Sequence, residues 1–203
     1  MNSTVRALAV TSAGDVIAGG IAANNIARWD GSSWHAIGSG TNGPVRALTQ
    51  DLSLVVVAGD FTTAGNLLVN GLAQCSSSGS WQGFHSGFGP SLGATCLTSR
   101  AGRIYAGGTF LTAAGVQVNC VARLGPFVSW LDYGVDGPVA ALALLPTFEL
   151  LVGGSFAQAS GVTSNGIAGW DGTAWFWSLE VDAQLNIVGI STSNALRMTI
   201  GSF

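Results

Sequence analysis

The chain has 203 residues, of which 48% are hydrophobic, only 8% are charged and 30 are glycine; its net charge is −3. So few charges beside so much apolar surface exclude a disordered chain. The seven basic residues, all arginine (6, 28, 46, 100, 103, 123 and 197), assemble no basic patch, so we expect no nucleic-acid partner. The longest apolar stretch, residues 139–154, is interrupted by Pro146 and Glu149 and is shorter than the about 20 residues a membrane-spanning helix needs, so no membrane insertion is expected.

Taken in chain order, the sequence repeats one phrase. It opens with an apolar strand at Val5 and reaches a glycine doublet at Gly20. A second apolar stretch follows, signalled by Asn24 and Ala27. The turn Trp29-Asp30-Gly31 comes next, then Trp34 and a Gly-rich tail over residues 38–44. The phrase restarts at Val45 (Gly59, Asn70, Ala73, Trp81, tail 87–93), at Ala94 (Gly108, Asn119, Ala122, Trp130, tail 134–138) and at Val139 (Gly154, Asn165, Ala168, Trp170-Asp171-Gly172, Trp175). A fifth opening stands at Ile187, with Gly201 at the doublet position. The openings at 5, 45, 94, 139 and 187 are 40, 49, 45 and 48 residues apart. A period in this range marks solenoids, propellers or arrays.

Each repeat holds four short apolar or alternating stretches separated by Gly, Asn, Asp, Ser and Pro, and no stretch shows capped helical periodicity. In the third repeat the strands are expected near residues 95–98, 103–107, 120–124 and 128–133. Asp30-Gly31 and Asp171-Gly172 predict two-residue type I′ turns between the third and fourth strands. Four antiparallel strands per unit make a propeller blade. The fold class is therefore all-β, a β-propeller with four blades and a partial fifth, read as one domain over residues 1–203. The doublets should let backbones approach closely near the axis. The tryptophans should bury between blades, and the asparagines should satisfy backbone groups at the start of the third strand.

Two irregularities stand out. From the second glycine to the asparagine the later repeats run 11 residues (59 to 70, 108 to 119, 154 to 165), whereas the first runs 4 (20 to 24), so its second-to-third connection should be short. It lacks the Phe-x-x-Ala segment present over residues 61–65 and 110–115. The sequence also stops at the fifth doublet, which predicts that the remaining blades belong to a longer protein.

The glycine doublet closing the second strand, the aromatic-Asp pairs Trp29-Asp30 and Trp170-Asp171, and the following Trp34 and Trp175 resemble the kelch motif. The fuller phrase, Gly107-Gly108-Thr109-Phe110 leading to Asn119 and Ala122, is similar to kelch-like and Delta-60-type repeats of large secreted and surface proteins. Cys75-Ser76 and Leu124-Gly125 depart from it. The resemblance implies an extracellular or cell-surface propeller, although residues 1–10 do not read as a signal peptide.

Chemistry-bearing residues are few. His35 and His85 occupy no repeated position, and a metal site on His85 with Asp132 or Asp136 lacks convergent ligands. A radical-copper centre would need two Tyr, two His and a Cys together, but Tyr105 falls within a second strand and His35 in an outer one. Residues 132–137 lack calcium-loop spacing and read as a turn. Cys75, Cys96 and Cys120 form no CxxC spacing and read as small buried side chains. No cofactor, metal or enzymatic activity is expected.

What remains is a loop face on a rigid scaffold. The second-to-third connections and the interblade links should emerge together there, presenting Asn42, Thr62, Thr63, Asn66, His85, Thr112, Gln117, Asp136, Gln158 and Thr163. The expected function is noncatalytic protein binding or a structural role. The alternative is a carbohydrate-binding, lectin-type propeller in which Trp or Phe stacks on sugar rings beside Asn and Asp.

Overall fold

The computed structural model describes residues 4–21, 24–84, 86–89, 93–125 and 127–176, and the backbone of strands Leu179–Val181 and Ile187–Ile190. Among these residues every regular element is a strand. The first repeat forms one antiparallel sheet in sequence order: Val5–Val10, Val16–Gly20, Ile26–Trp29 and Trp34–Ala36. The second repeats it with Val45–Asp51, Leu54–Gly59, Leu72–Ser76 and Trp81–Gly83, and the fourth with Val139–Leu144, Leu150–Gly154, Ile167–Trp170 and Trp175–Phe176. In the third, Ala94–Arg100, Arg103–Gly108 and Val121–Leu124 form a three-stranded sheet. The fourth strand expected over 128–133 is reduced there to one bridge, Arg123 with Ser129.

Each first strand opens at the residue where its repeat opens, and the second strands of the first four repeats close on Gly20, Gly59, Gly108 and Gly154, the last glycine of a doublet except in the second repeat, where Ala58 precedes Gly59. The first strands of successive blades lie side by side, in the order Val5–Val10, Val45–Asp51, Ala94–Arg100, Val139–Leu144, and so line the inner side of the arc. Second strands such as Leu54–Gly59 are buried almost throughout because both sheet faces are covered, which is why they read as unbroken apolar runs. At the fifth opening, Ile187–Ile190 pairs with Leu179–Val181; the doublet position at Gly201 lies outside the described residues.

The doublet glycines have a steric cause. A Cβ on Gly20, Gly59, Gly108 or Gly154 would stand 1.8–2.2 Å from the carbonyl oxygen of Thr4, Pro44, Gly93 or Pro138, which leads into the first strand of the same blade. A Cβ on Gly19 or Gly107 would meet Val45 or Val139 of the next blade at 2.4 and 2.5 Å. Only glycine allows the first approach; at the other position the second repeat carries Ala58, and a Cβ on Gly153 would meet nothing within 4 Å.

Blades pack through equivalent positions. Ile17, Ile37, Val55, Cys75 and Trp81 join the first blade to the second. Tyr105, Leu131, Leu150, Trp170 and Trp175 join the third to the fourth. At the intervening junction the set is Val56, Phe84, Ile104, Leu124 and Val128. Trp81 and Trp175 each donate their indole N–H to a carbonyl of the preceding blade, Ile37 at 3.1 Å and Leu131 at 2.8 Å.

Two expectations are corrected by the ladders. Asp30 and Asp171 do not sit in type I′ turns, since only Gly31 and Gly172 have positive φ. Trp29 pairs with Trp34 and Trp170 with Trp175, which leaves four-residue connections instead of two. Each carboxylate closes its loop by accepting two backbone N–H groups, from Ser32 and Ser33 at 2.8 and 2.9 Å, and from Thr173 and Ala174 at 2.8 Å each.

The tryptophans do not all bury. Trp175 does and Trp81 is half-buried, but Trp34 and Trp130 are exposed. Trp34 packs on Trp29 on the outer sheet of the first blade, 5.6 Å between ring centroids. Trp130 is out of register. Arg28 pairs with His35, one residue after Trp34, whereas the equivalent Arg123 bridges Ser129, one residue after Val128. Val128 therefore holds the tryptophan's position in the third blade, and Trp130 stands where the first two blades have Ala36 and Gly83.

Candidate functional site

The second-to-third connections and the interblade links do emerge together. Three connections fold into small hairpins, Thr63–Ala64 with Leu67–Leu68, Thr112–Ala113 with Val116–Gln117, and Gln158–Ala159 with Val162–Thr163. Each hairpin adds the preceding link as a further partner: Thr41 bridges Ala64, Phe88–Gly89 pairs with Thr112–Ala113, and Val135 bridges Ala159. The first blade, with its short connection, has no such hairpin among its described residues.

The repeated asparagine fastens each link. Asn24, Asn70, Asn119 and Asn165 all adopt positive φ. The Asn24, Asn70 and Asn119 carbonyls accept the N–H of Thr41, Phe88 and Val135 at 3.0, 2.9 and 3.1 Å. The Asn70 and Asn119 amides donate to the Ser86 and Tyr133 carbonyls at 3.2 and 2.8 Å. In the first repeat the neighbouring Asn25 does this instead, donating to Thr41 at 2.7 Å. The expected backbone role thus runs to the interblade link rather than to the start of the third strand.

Asn42 and Asp136, both expected on the binding face, hold equivalent places and do equivalent work. Asn42 Oδ1 accepts the N–H groups of Thr62 and Thr63, both at 2.9 Å, and its amide donates to Thr62 Oγ1 at 2.8 Å. Asp136 Oδ1 accepts those of Ala157 and Gln158 at 2.8 and 2.9 Å. Gly89 stands at this position in the remaining link and takes the Thr112 hydroxyl on its carbonyl at 3.0 Å.

The expected residues thus fall into three groups, one per junction. Asn42, Thr62 and Thr63 meet at the first, with Asn66 exposed at the tip of the hairpin. Thr112 pairs with Gln117 at the second, and Asp136, Gln158 and Thr163 meet at the third. His85 lies outside the described residues. His35 is on the outer strand of the first blade, 2.6 Å from Asp30, whereas Tyr105 is buried in the third blade and Tyr133 is exposed. These residues are not brought together.

The most distinctive surface surrounds Tyr133. Trp130 is 64% exposed and Tyr133 77%. With Gln117, Asn119 and Asp132 they line a hollow of about 340 Å³. A second hollow of about 250 Å³ shares Asn119 and Tyr133 and continues past Asp136, Gln158 and Ser160. Tyr133 therefore stands between two halves of one groove at the junction of the third and fourth blades.

Its frame is fixed. The Ser160 hydroxyl donates to Asp132, Ser160 N–H to the Gly134 carbonyl at 2.9 Å, and Asp136 N–H to the Gln158 carbonyl at 3.1 Å. Gly134 is the tight point: at φ +68° an added Cβ would lie 2.5 Å from the carbonyl oxygens of both Val118 and Asn119. The Cys120 thiol in the wall is held above its ordinary pKa by burial and by the Asp136 charge, so it stays protonated and poorly nucleophilic. Among the described residues no three His, Cys, Asp or Glu side chains converge as a metal site requires. The groove offers two aromatic faces, a carboxylate and amides, and its lining contains no cation.

Sequence reasoning placed Gln117, Asp136 and Gln158 on this face but assigned Trp130 to the core and Tyr133 to no binding role. A signal was present. Trp34 precedes Pro44 by ten residues (44 − 34), whereas Trp130 precedes Pro138 by eight (138 − 130), the two-residue displacement seen in the ladder.

Comparison with known proteins agrees on the fold. A family model described as a domain of unknown function (DUF5122) beta-propeller matches residues 102–126. No curated protein matches the chain. The computationally designed Ika4 protein is similar over 84% of this chain and 92% of its own, with 19% identity and a TM-score of 0.54. YCF48, solved bound to D1 peptide, is similar over 85% of this chain and 54% of its own, with 13% identity and a TM-score of 0.55. The sheets, the family model and these likenesses make the fold a β-propeller.

Proposed function

We propose that this β-propeller is a noncatalytic binding module of kelch-like type, within a secreted or cell-surface protein, and that it takes a protein ligand in the groove around Tyr133. The observation that carries the reading is the displaced Trp130. A tryptophan moved out of the interblade core costs packing there and exposes a large aromatic face beside Tyr133 and Asp132. Tryptophan and tyrosine are the side chains most enriched where a few residues dominate a protein interface. The rigid ladders beneath them lower the ordering cost of binding. Propellers also bind peptides, as the YCF48 complex illustrates for that protein.

Peptide-array binding with the purified chain tests this. Saturable peptide binding that falls by about tenfold or more in Trp130→Ser and Tyr133→Ser, with folding intact, is the expected result. Binding that survives both substitutions overturns the assignment to this groove.

A second reading is favoured by the polar lining. Asp132, Gln117 and Asn119 around two exposed rings also suit a neutral sugar, whose apolar face stacks on an aromatic ring while its hydroxyls meet amides and a carboxylate. Glycan-array binding lost in the same two variants, with no peptide signal, would put the lectin reading in place of the first.

A further inference from the structure

The three interblade links share one hydrogen-bonded frame, so their residues correspond one to one. Thr41, Phe88 and Val135 each donate to the carbonyl of the repeated asparagine and hold one position. Counting from them, Tyr133 stands where the first two links have Ser39 and Ser86, Asp136 where they have Asn42 and Gly89, and Asp132 where they have Gly38 and His85. The frame needs neither the ring nor the charge. Asn42 accepts the N–H groups of the next hairpin as Asp136 does, while remaining neutral. Asn70 donates to the Ser86 carbonyl as Asn119 does to that of Tyr133, with no ring at the accepting residue. The third link thus carries two carboxylates and an aromatic ring beyond what its structural work requires.

These charges are also uncompensated. Asp15 and Asp60 are paired with Arg28 and Arg46, and Asp30 with His35. Among the described residues neither Asp132 nor Asp136 has an ion-pair partner. Asp132 lines one hollow, Asp136 the other and Tyr133 both, and no basic residue lines either. We infer that the groove around Tyr133 recognises a positively charged segment of a protein partner, with an arginine side chain as its anchor. This rests on the protein-binding reading of that groove and adds the chemistry of the ligand. A guanidinium satisfies both features of the site. Its flat face stacks on an exposed ring such as Trp130 or Tyr133, and its N–H fork meets a carboxylate. The compact ammonium of lysine has no such face. An acidic segment would meet two like charges and no cation.

The test is titration of the whole chain with a glycine-serine peptide carrying arginines, followed by amide chemical shifts. The control is the same peptide with citrulline for arginine, which keeps the planar group and removes the charge. Saturable shifts around Trp130, Tyr133 and Gly134 are expected, with about tenfold weaker binding of the citrulline peptide and an affinity that falls as salt rises. Combining Asp132→Asn with Asp136→Asn should weaken the arginine peptide by about tenfold while the fold is kept. If that double variant fails to fold, the citrulline comparison decides alone. Equal affinity for the two peptides, or no saturable binding of the arginine peptide, would overturn the proposal. Array peptides that need Trp130 but carry no basic residue would overturn it too, and leave the protein-binding reading intact. Absence of any peptide that needs Trp130 would remove both.

Discussion

The junction between the third and fourth blades and the junction between the second and third are built from the same five positions, yet the first carries three rings, Tyr105, Trp170 and Trp175, and the second one, Phe84. Trp175 seals the first, 8% exposed and bonded to the Leu131 carbonyl. Val128 occupies the matching place in the second and is half-buried. The cause is a two-residue displacement along one outer segment, which leaves a bridge at Ser129 where the first, second and fourth repeats form a strand. One change therefore has two consequences on the same blade: an interface loses its filling, and a tryptophan is delivered to the surface. In a repeat protein, the blade that departs from its neighbours is where binding chemistry has room to appear.

The comparison breaks most directly at the two packed positions. Trp175→Ala should cost about 3–5 kcal/mol in denaturant unfolding, because a buried indole and its hydrogen bond are lost together. Val128→Ala should cost only about 1 kcal/mol, as a small side chain that is only half-buried. Equal costs would show that the two junctions are equally sealed. Next in size is Gly134→Ala, expected to cost about 2 kcal/mol or more, since left-handed strain combines with a clash against two backbone oxygens. Gly161→Ala separates these terms: its φ is +82° but nothing lies within 4 Å of the added Cβ, so strain alone should appear.

The arrangement of strands was legible because burial and period act together. A second strand covered on both faces must be apolar throughout, and a glycine forced against a carbonyl admits no other residue, so Gly20, Gly59, Gly108 and Gly154 announce the blade wherever it occurs. The turns were less legible. Asp-Gly reads as a two-residue turn, but the pairing of Trp29 with Trp34 depends on partners across the sheet that local sequence does not specify. For the site, the loop face followed from strand order, whereas the groove did not. Trp130 carries the repeat's signature residue and so resembles a core position; only its distance to Pro138 and its pairing partner reveal otherwise. Asn42 and Asp136 looked like ligand contacts because short polar side chains on loops suit either purpose, and their bonds to the next hairpin are visible only in three dimensions.

Smaller effects sharpen the distinction between scaffold and surface. Asp136→Ala should lower stability by about 1 kcal/mol through loss of two accepted N–H groups, and Asp136→Asn should retain most of it, since Asn42 does the same work at the first junction. Equal loss in both variants would mean that the charge, not the acceptor geometry, holds the hairpin. Asp171 gives a pH readout. Burial raises its pKa, but the Ala174 and Thr173 N–H groups and the Thr173 hydroxyl outweigh this and leave it depressed. A depressed carboxylate stabilises the fold above its unfolded value and loses that contribution as the pH falls below about 4 through the folded value. Asp171→Asn keeps an acceptor without the titration, so its stability should fall less steeply than that of the parent chain between pH 5 and 2.

The smallest expected effect is the most discriminating. Trp130→Ser removes the same residue type as Trp175→Ala from the adjacent blade, yet should change unfolding free energy by no more than about 0.5 kcal/mol, because the ring is already largely in water. Fluorescence supplies a second observable. Loss of Trp130 should remove a red-shifted, acrylamide-quenchable component, whereas loss of Trp175 should remove a shielded one. A large stability cost at position 130 would mean that its ring covers apolar surface needed for folding, and the groove would then be part of the scaffold. A negligible cost leaves a tryptophan that the fold does not require, held beside Tyr133 by ladders that it does.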